Sequence, residues 1–290
     1  MSTVKPWTST VYRLGFGYLE RLLAIPAIKR PAWRLWYELF GTRFDTDALH
    51  FLNCGYFDPV AADGPPLPLE EPEEAERLCV QLYHQVVSGV ALEGRRVLEV
   101  GCGRGGGSWF VRRRLGAGTL VGVDRSRSAV RRARAAYGAG GLHFVAGDAE
   151  ALPFADAAFD VVVNVESSHC YGSMAGYLAD VARVLRPGGH LLFADFRPVA
   201  KIAALRSQFG DAGLEIVGTR DITTQVLAAL ALDSPRRRAL VAAYVPTYLA
   251  TVFGEFCVVQ DSTTYRQFQE RTVLYQSYVL RRPNAGRSPT

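Results

Sequence analysis

Residues 97–108 read Val-Leu-Glu-Val-Gly-Cys-Gly-Arg-Gly-Gly-Gly-Ser, an apolar run that enters a glycine-rich turn. Glycine suits such a turn because a side chain would hold a ligand away from the backbone, so Gly101, Gly103 and Gly105 are the first binding residues to consider. Gly101, Gly103 and Gly106 also satisfy G-x-G-x-x-G, which keeps a dinucleotide and an NAD-dependent oxidoreductase among the readings. Glu99 argues for a different ligand. A carboxylate beside the loop repels a pyrophosphate and attracts a molecule that carries an amino group and a sulfonium. Asp124 follows 23 positions after Gly101 at the end of the next apolar run, a spacing that suits a carboxylate accepting hydrogen bonds from ribose hydroxyls. Asp148 and Ala149 end the third run, where a carboxylate and the following amide can read an adenine edge.

These residues need a scaffold that brings strand ends together. From residue 95 onward short apolar runs alternate with helical patterns, the signature of βαβ units and a mostly parallel sheet. Strands are expected at 96–100, 120–123, 143–145, 159–164 and 190–194, with 214–218 and 273–280 as two more. Asn164 ends the fourth strand and is placed with the cofactor site. Glu166 follows it, with backbone capping as the competing role. A helix over 178–185 is expected to stop at Arg186-Pro187-Gly188-Gly189. Upstream, Trp33, Trp36, Tyr37 and Phe40 line one face of a short helix within 30–40, and 63–68 (Asp-Gly-Pro-Pro-Leu-Pro) reads as an entry loop. The division expected is a helical arm and cap over 1–80 and a core over 81–290, with a substrate-covering insertion at about 200–256. In that insertion Tyr244, Tyr248 and Phe253 suit a pocket for a large apolar ligand, although a helical hairpin or a homo-oligomer interface uses the same residues.

Composition narrows the classes. The 290 residues are 49% hydrophobic and 21% charged, as in an ordinary folded protein. The net charge of +5 rests almost wholly on arginine, and the arginine runs lack the interleaved aromatics that stack on bases, so no nucleic-acid partner is expected. Five cysteines without a C-x-x-C pair suggest neither a disulfide framework nor a metal site. The longest uncharged stretch, 239–254, has 16 residues and contains Pro246, too short for a bilayer span, so stable membrane insertion is not expected. The charged amino terminus does not resemble a secretory signal, and a cytoplasmic location is expected.

The ordered set Glu99-x-Gly101-x-Gly103, Asp124, Gly147-Asp148-Ala149, Phe159-Asp160 and 185–189 (Leu-Arg-Pro-Gly-Gly) resembles the class I S-adenosylmethionine-dependent methyltransferases over about 95–198. Residues 51–56, 82–84, 105–107, 165–171 and 194–198 add a narrower similarity to the phthiotriolone dimycocerosate methyltransferases and related natural-product methyltransferases. The resemblance implies an α/β fold: a Rossmann-like doubly wound, mostly parallel seven-stranded sheet with an antiparallel last strand, plus helical cap elements. It also implies S-adenosyl-L-methionine as cofactor, Tyr56 near that cofactor, no metal, and a hydrophobic small-molecule acceptor. A hydroxyl is the expected site of methylation, with carbon methylation of a prenylated product as the alternative and a non-catalytic cofactor-binding protein as a third.

Methyl transfer from a sulfonium is an in-line displacement, so positioning dominates. An alcohol is nonetheless a poor nucleophile while protonated. A histidine titrating near ~6.5 is a suitable base. His169 follows the fourth strand and Asp195 the fifth, on the edge where ligands collect in open α/β sheets, so an Asp195-oriented His169 is the expected catalytic pair. His50, His84, His143 and His190 read as structural.

Overall fold

The computed structural model describes residues 49–60, 67–70 and 73–284, so the aromatic stripe within 30–40 and positions 63–66 of the Pro-rich loop lie outside the described residues. Helix α1 (Arg77–Val87) leads to β1 (Arg96–Val100), α2 (Gly106–Arg114), β2 (Thr119–Asp124), α3 (Arg127–Tyr137) and β3 (Leu142–Ala146). Then come β4 (Phe159–Val165), α4 (Met174–Val184), β5 (Leu185–Pro198), α5 (Val199–Asp211) and β6 (Glu215–Asp221). The chain closes with α6 (Thr223–Tyr244), α7 (Ala250–Phe256), α8 (Thr263–Gln269) and β7 (Val273–Arg281). The seven strands form one sheet in the order β3-β2-β1-β4-β5-β7-β6, with β7 antiparallel to both neighbours and the other pairings parallel. The expected doubly wound α/β architecture and the antiparallel last strand are both present.

Strand alternation explains why both faces are covered. Val97, Val161, Val163 and Leu192 point into one apolar layer with Leu82, Phe110 and Leu230, whereas Leu98, Val162, Leu191 and Phe193 point into the other with Leu178 and Phe209. Ser126 caps α3 by accepting from the Ala129 amide at 3.2 Å, and Ser173 caps α4 by accepting from the Gly176 amide at 3.0 Å. Ser126 lies two residues beyond β2 and Ser173 eight beyond β4, so each cap fixes where a loop at the sheet's carboxyl edge ends.

Two expectations need correction. The Arg186-Pro187-Gly188-Gly189 segment does not separate helix from strand, because β5 starts at Leu185. Leu185 pairs with Phe159, the register then shifts, and the Gly188 amide donates to Arg282 O while the Arg282 amide donates to Gly189 O, both at 2.8 Å. Those bonds give the tight segment a strand partner in the chain after β7. The stretch assigned to substrate cover at 200–256 begins with α5 and β6, which belong to the sheet layers. Only from α6 onward does the chain leave the sheet before returning through α8 to β7. Among the described residues no helix is long and apolar enough to cross a membrane.

Phe193 sits without solvent exposure between Phe209 and Tyr278, at ring distances of 5.5 and 6.2 Å. Phe193→Ala is expected to cost about 3–5 kcal/mol, read as a lower urea midpoint at unchanged slope.

Candidate active site

The carboxyl ends of β1, β2, β3 and β4 border a cleft of about 1240 Å³. It lies where the connections from β1 and β4 depart to opposite sides, the switch point at which open α/β sheets bind ligands. Gly101 and Gly103 form its floor with positive φ values of 82° and 52°. A Cβ on Gly103 would point into open space, with only Leu52 Cδ1 at 3.7 Å, so the bare backbone there is a cradle that a ligand can approach. Asp124 Oδ2 accepts from the Gly103 amide and Oδ1 from the Ser126 amide, each at 2.8 Å, which fixes the carboxylate against the loop. Asp148 and Ala149 also line the cleft.

Other residues singled out from sequence lie elsewhere. Glu99 is buried behind the loop, accepting from Tyr83 Oη at 2.6 Å and from the Ser108 hydroxyl. Burial pushes its carboxyl up to about 7, and it is not part of the cleft wall. Gly105 faces Ala133 and Phe144, so its role is close packing of α2 against α3 and β3. Asn164 is buried, its amide donating to Val100 O at 3.0 Å and to Tyr171 Oη at 2.9 Å, behind the wall formed by Ser167 and Tyr171. Tyr56 packs against the core with its hydroxyl 3.4 Å from Asp58. Its neighbours Phe51, Leu52 and Asn53 reach the cleft instead. Those three stood in the quoted motif, and the signal passed over was their adjacency to Tyr56.

Residues 49–56 form a strap tied down by charged side chains from three elements. Glu76 accepts from the amides of His50 at 2.8 Å and Phe51 at 3.3 Å, Arg237 Nη2 donates to Asn53 O at 2.8 Å, and Glu166 Oε2 accepts from the Cys54 amide at 2.8 Å. Sequence patterns give no hint of these ties because they span up to 184 positions. On the strap's far side lies a second cavity of about 720 Å³, walled largely by Leu49, Leu240, Val241, Val245, Phe253 and Phe256. Tyr244 shares that wall, whereas Tyr248 is 78% exposed and does not. Phe51, Leu52, Asn53 and Glu166 wall both cavities, so the two are neighbours across one thin partition.

His169 and Asp195 do meet. The imidazole Nδ1 lies 3.0 Å from Asp195 Oδ1 and the ring stacks on Phe196 at 4.6 Å. Asp195 Oδ2 further accepts from the His169 amide at 2.9 Å and Ser168 Oγ at 2.6 Å, with Arg197 Nη1 at 3.2 Å. Burial opposes ionisation of Asp195, but Arg197 and His169 outweigh it and hold the carboxyl well below the usual range. Burial likewise disfavours a charged imidazole, yet Cys170 and Asp195 raise His169 to about 10. The ring is not part of either cavity wall; Glu166, Ser167 and Cys170 of the same turn are.

Residues 98–193 match the family model for a methyltransferase domain. A phthiotriol/phenolphthiotriol dimycocerosates methyltransferase of Mycobacterium leprae (strain TN) is 39% identical over 247 residues, 85% of this chain and 90% of its own. The chain belongs to the methyltransferase family. A fatty-acid O-methyltransferase of Mycolicibacterium smegmatis is 35% identical, covering 88% of this chain and 92% of its own. The crystal structure of the [4+2]-cyclase SpnF has the same fold at 20% identity, with a TM-score of 0.67 over 87% of this chain and 96% of that one.

The cleft fits S-adenosylmethionine, whose demethylated form is bound in the crystal structure of geranyl diphosphate C-methyltransferase from Streptomyces coelicolor A3(2), a protein of the same fold at 17% identity with a TM-score of 0.59 over 88% of this chain and 98% of that one. Four carboxylates, Asp124, Asp148, Glu150 and Glu166, face two guanidiniums, Arg104 and Arg125, a balance suited to a cationic ligand and adverse to a pyrophosphate. This acidic wall replaces Glu99 as the electrostatic argument. Asp124→Ala is expected to weaken binding of the demethylated cofactor, measured by calorimetry, by at least about tenfold, the loss of charge-assisted hydrogen bonds. Glu99→Gln should change it less than about threefold, since Glu99 acts behind the loop.

Proposed function

We propose that this methyltransferase acts on a hydroxyl of a hydrophobic lipid or polyketide-like acceptor, with His169 receiving the hydroxyl proton. The observation that carries the reading is the shared partition: a cleft rimmed by carboxylates and suited to the cofactor lies back to back with a largely apolar cavity, and four residues wall both. The names of the relatives, which refer to phthiotriol lipids and to fatty-acid O-methylation, support a hydrophobic acceptor and transfer to oxygen. In this reading Gly101, Gly103, Asp124, Asp148 and Ala149 hold the cofactor, while Phe253 and Tyr244 contact the acceptor. Residues 1–80 serve as arm and cap to a core over 81–290, and the segment from α6 to α7 covers the acceptor.

S-adenosylmethionine, when bound, supplies an electrophilic methyl group. The chain's own task is to orient the acceptor oxygen, keep water out and take up a proton. The strap, α6 and α7 line the second cavity with apolar side chains, and an apolar acceptor seated there displaces water from it. Asp195 holds the imidazole by Nδ1 and its carboxylate stabilises the imidazolium once formed; the ring lies behind the wall formed by Glu166, Ser167 and Cys170 of the same turn, so the proton reaches it through that turn. With His169 raised to about 10, the ring is an imidazolium at neutral pH until positive charge enters the adjoining cleft and favours its neutral form.

The sign of the pH dependence follows. Acceptor-limited turnover by the free enzyme rises from pH 7 towards 10 as His169 loses its proton. Asp195→Asn removes a charge that raises His169, so the limb should move down by roughly one unit or more while the maximal rate falls. His169→Ala should lower kcat by about 10²–10⁴ with cofactor affinity unchanged. Turnover equal to the parent enzyme removes His169 as the base. NMR of the product should show a new methoxy carbon, and a C-methyl resonance in its place contradicts transfer to oxygen.

A further inference from the structure

The four residues common to both cavities are Phe51, Leu52, Asn53 and Glu166, and Glu166 alone among them is titratable. Its position is unusual in three respects. The residue has φ 51°, a left-handed conformation that side-chain-bearing residues avoid, with its amide bonded to Ala194 O at 2.8 Å. Its carboxyl is half-buried in the partition, and loss of solvent around it raises it above the ordinary carboxylate range. Its two oxygens are unequally engaged. Oε2 accepts from the Cys54 amide at 2.8 Å and from Tyr275 Oη at 2.9 Å, whereas Oε1 meets only the Cys54 thiol at 3.1 Å, a weak donor.

We propose that Glu166 receives the acceptor's hydroxyl at the partition, accepting its hydrogen bond through Oε1 and so selecting a neutral alcohol over an ionised carboxylic acid. This rests on the reading of the second cavity as the acceptor site. An alcohol rotates freely about its C–O bond. A fixed acceptor for its hydrogen holds that rotation and turns an oxygen lone pair towards the cofactor cleft. The hydrogen bond to Oε1 holds the alcohol before transfer; as its oxygen is methylated the hydroxyl proton leaves that hydrogen bond for His169, and no covalent bond to Glu166 forms or breaks. A fatty acid would instead bring a second carboxylate against the first in a space sheltered from water, where like charges repel strongly. The charged and titratable groups around Glu166 are Cys54 of the strap, Tyr83 of α1, His169 and Asp195 at the edge of β4 and β5, Tyr275 of β7, and Arg236 and Arg237 of α6 across the second cavity.

The test uses the full chain with S-adenosylmethionine and two probes of equal length, 1-hexadecanol and palmitic acid. The parent enzyme should favour the alcohol in kcat/KM by about tenfold or more, the value of one charge-assisted hydrogen bond. Glu166→Gln keeps an oxygen for the Cys54 amide but presents an amide donor in place of Oε1. It should lose about tenfold on the alcohol and lose little or gain on the acid, so the alcohol-to-acid ratio in kcat/KM falls by about tenfold or more, a readout separate from any loss of cofactor affinity as one carboxylate leaves the acidic wall. A parent enzyme that prefers the acid overturns the proposal. So does a variant that weakens both probes and cofactor in step, which would mark Glu166 as a cofactor or strap residue. A parent that neither methylates 1-hexadecanol nor binds it in the cofactor-product complex overturns both the proposal and the acceptor-cavity reading.

Should Glu166→Gln fail to fold, Tyr275→Phe gives a second readout. Loss of the Tyr275 hydroxyl destabilises the ionised carboxyl, so the acid limb of kcat/KM for the alcohol should move upward by roughly one pH unit. An unmoved limb contradicts the role assigned to Glu166.

Discussion

Three distant parts of the chain converge on Glu166: Cys54 of the strap and Tyr275 of β7 donate to its carboxylate, and Ala194 O of β5 accepts from its backbone amide. A strap that runs outside the sheet has no strand partner, so its amides and carbonyls need side-chain partners or water. Glu76, Arg237 and Glu166 provide them at successive positions, the first two buried and the third half-buried, which makes the strap's path specific. Without that path there would be no partition and no second cavity. The site depends on a few buried charges at least as much as on its sheet.

The sheet supplies the other constraint. Parallel strands with crossover helices bring the ends of β1, β2, β3 and β4 to one edge, so residues 101, 124, 148 and 166 gather although up to 65 positions separate them. The glycines let the loop after β1 turn tightly, and Asp124 then ties that loop to the end of β2. What results is a cleft whose rigid half is sheet and whose other half is the strap.

Much of this was legible in the sequence because it follows local rules. Strands buried on both faces show as short apolar runs, and a positive-φ loop shows as glycine, so β1, the loop and Asp124 could be placed within a residue or two. What was not legible depends on which way a side chain turns. Glu99 and Asp124 both end or nearly end strands and share one face of the sheet by register, yet Glu99 pairs with Gly122 and lies beneath α2, where Tyr83 and Ser108 take both its oxygens, whereas Asp124 lies two positions further out and reaches the loop. Gly105 and Gly103 have the same type and similar φ, but one meets Phe144 and the other open space. His169 and Asp195 pair as the strand order implies, while the partition falls to Glu166 because the backbone at that residue turns left-handed.

The central claim is that the cofactor's reactive end and the acceptor meet at the partition of Phe51, Leu52, Asn53 and Glu166. The most direct measurement is NMR of the full chain with S-adenosylmethionine carrying a ¹³C-labelled methyl, reading NOEs from that methyl in the complex. The account predicts NOEs to side-chain protons of Leu52, Asn53 and Glu166. NOEs confined to the residues around Asp148 and Ala149, at the opposite end of the cleft, would contradict it.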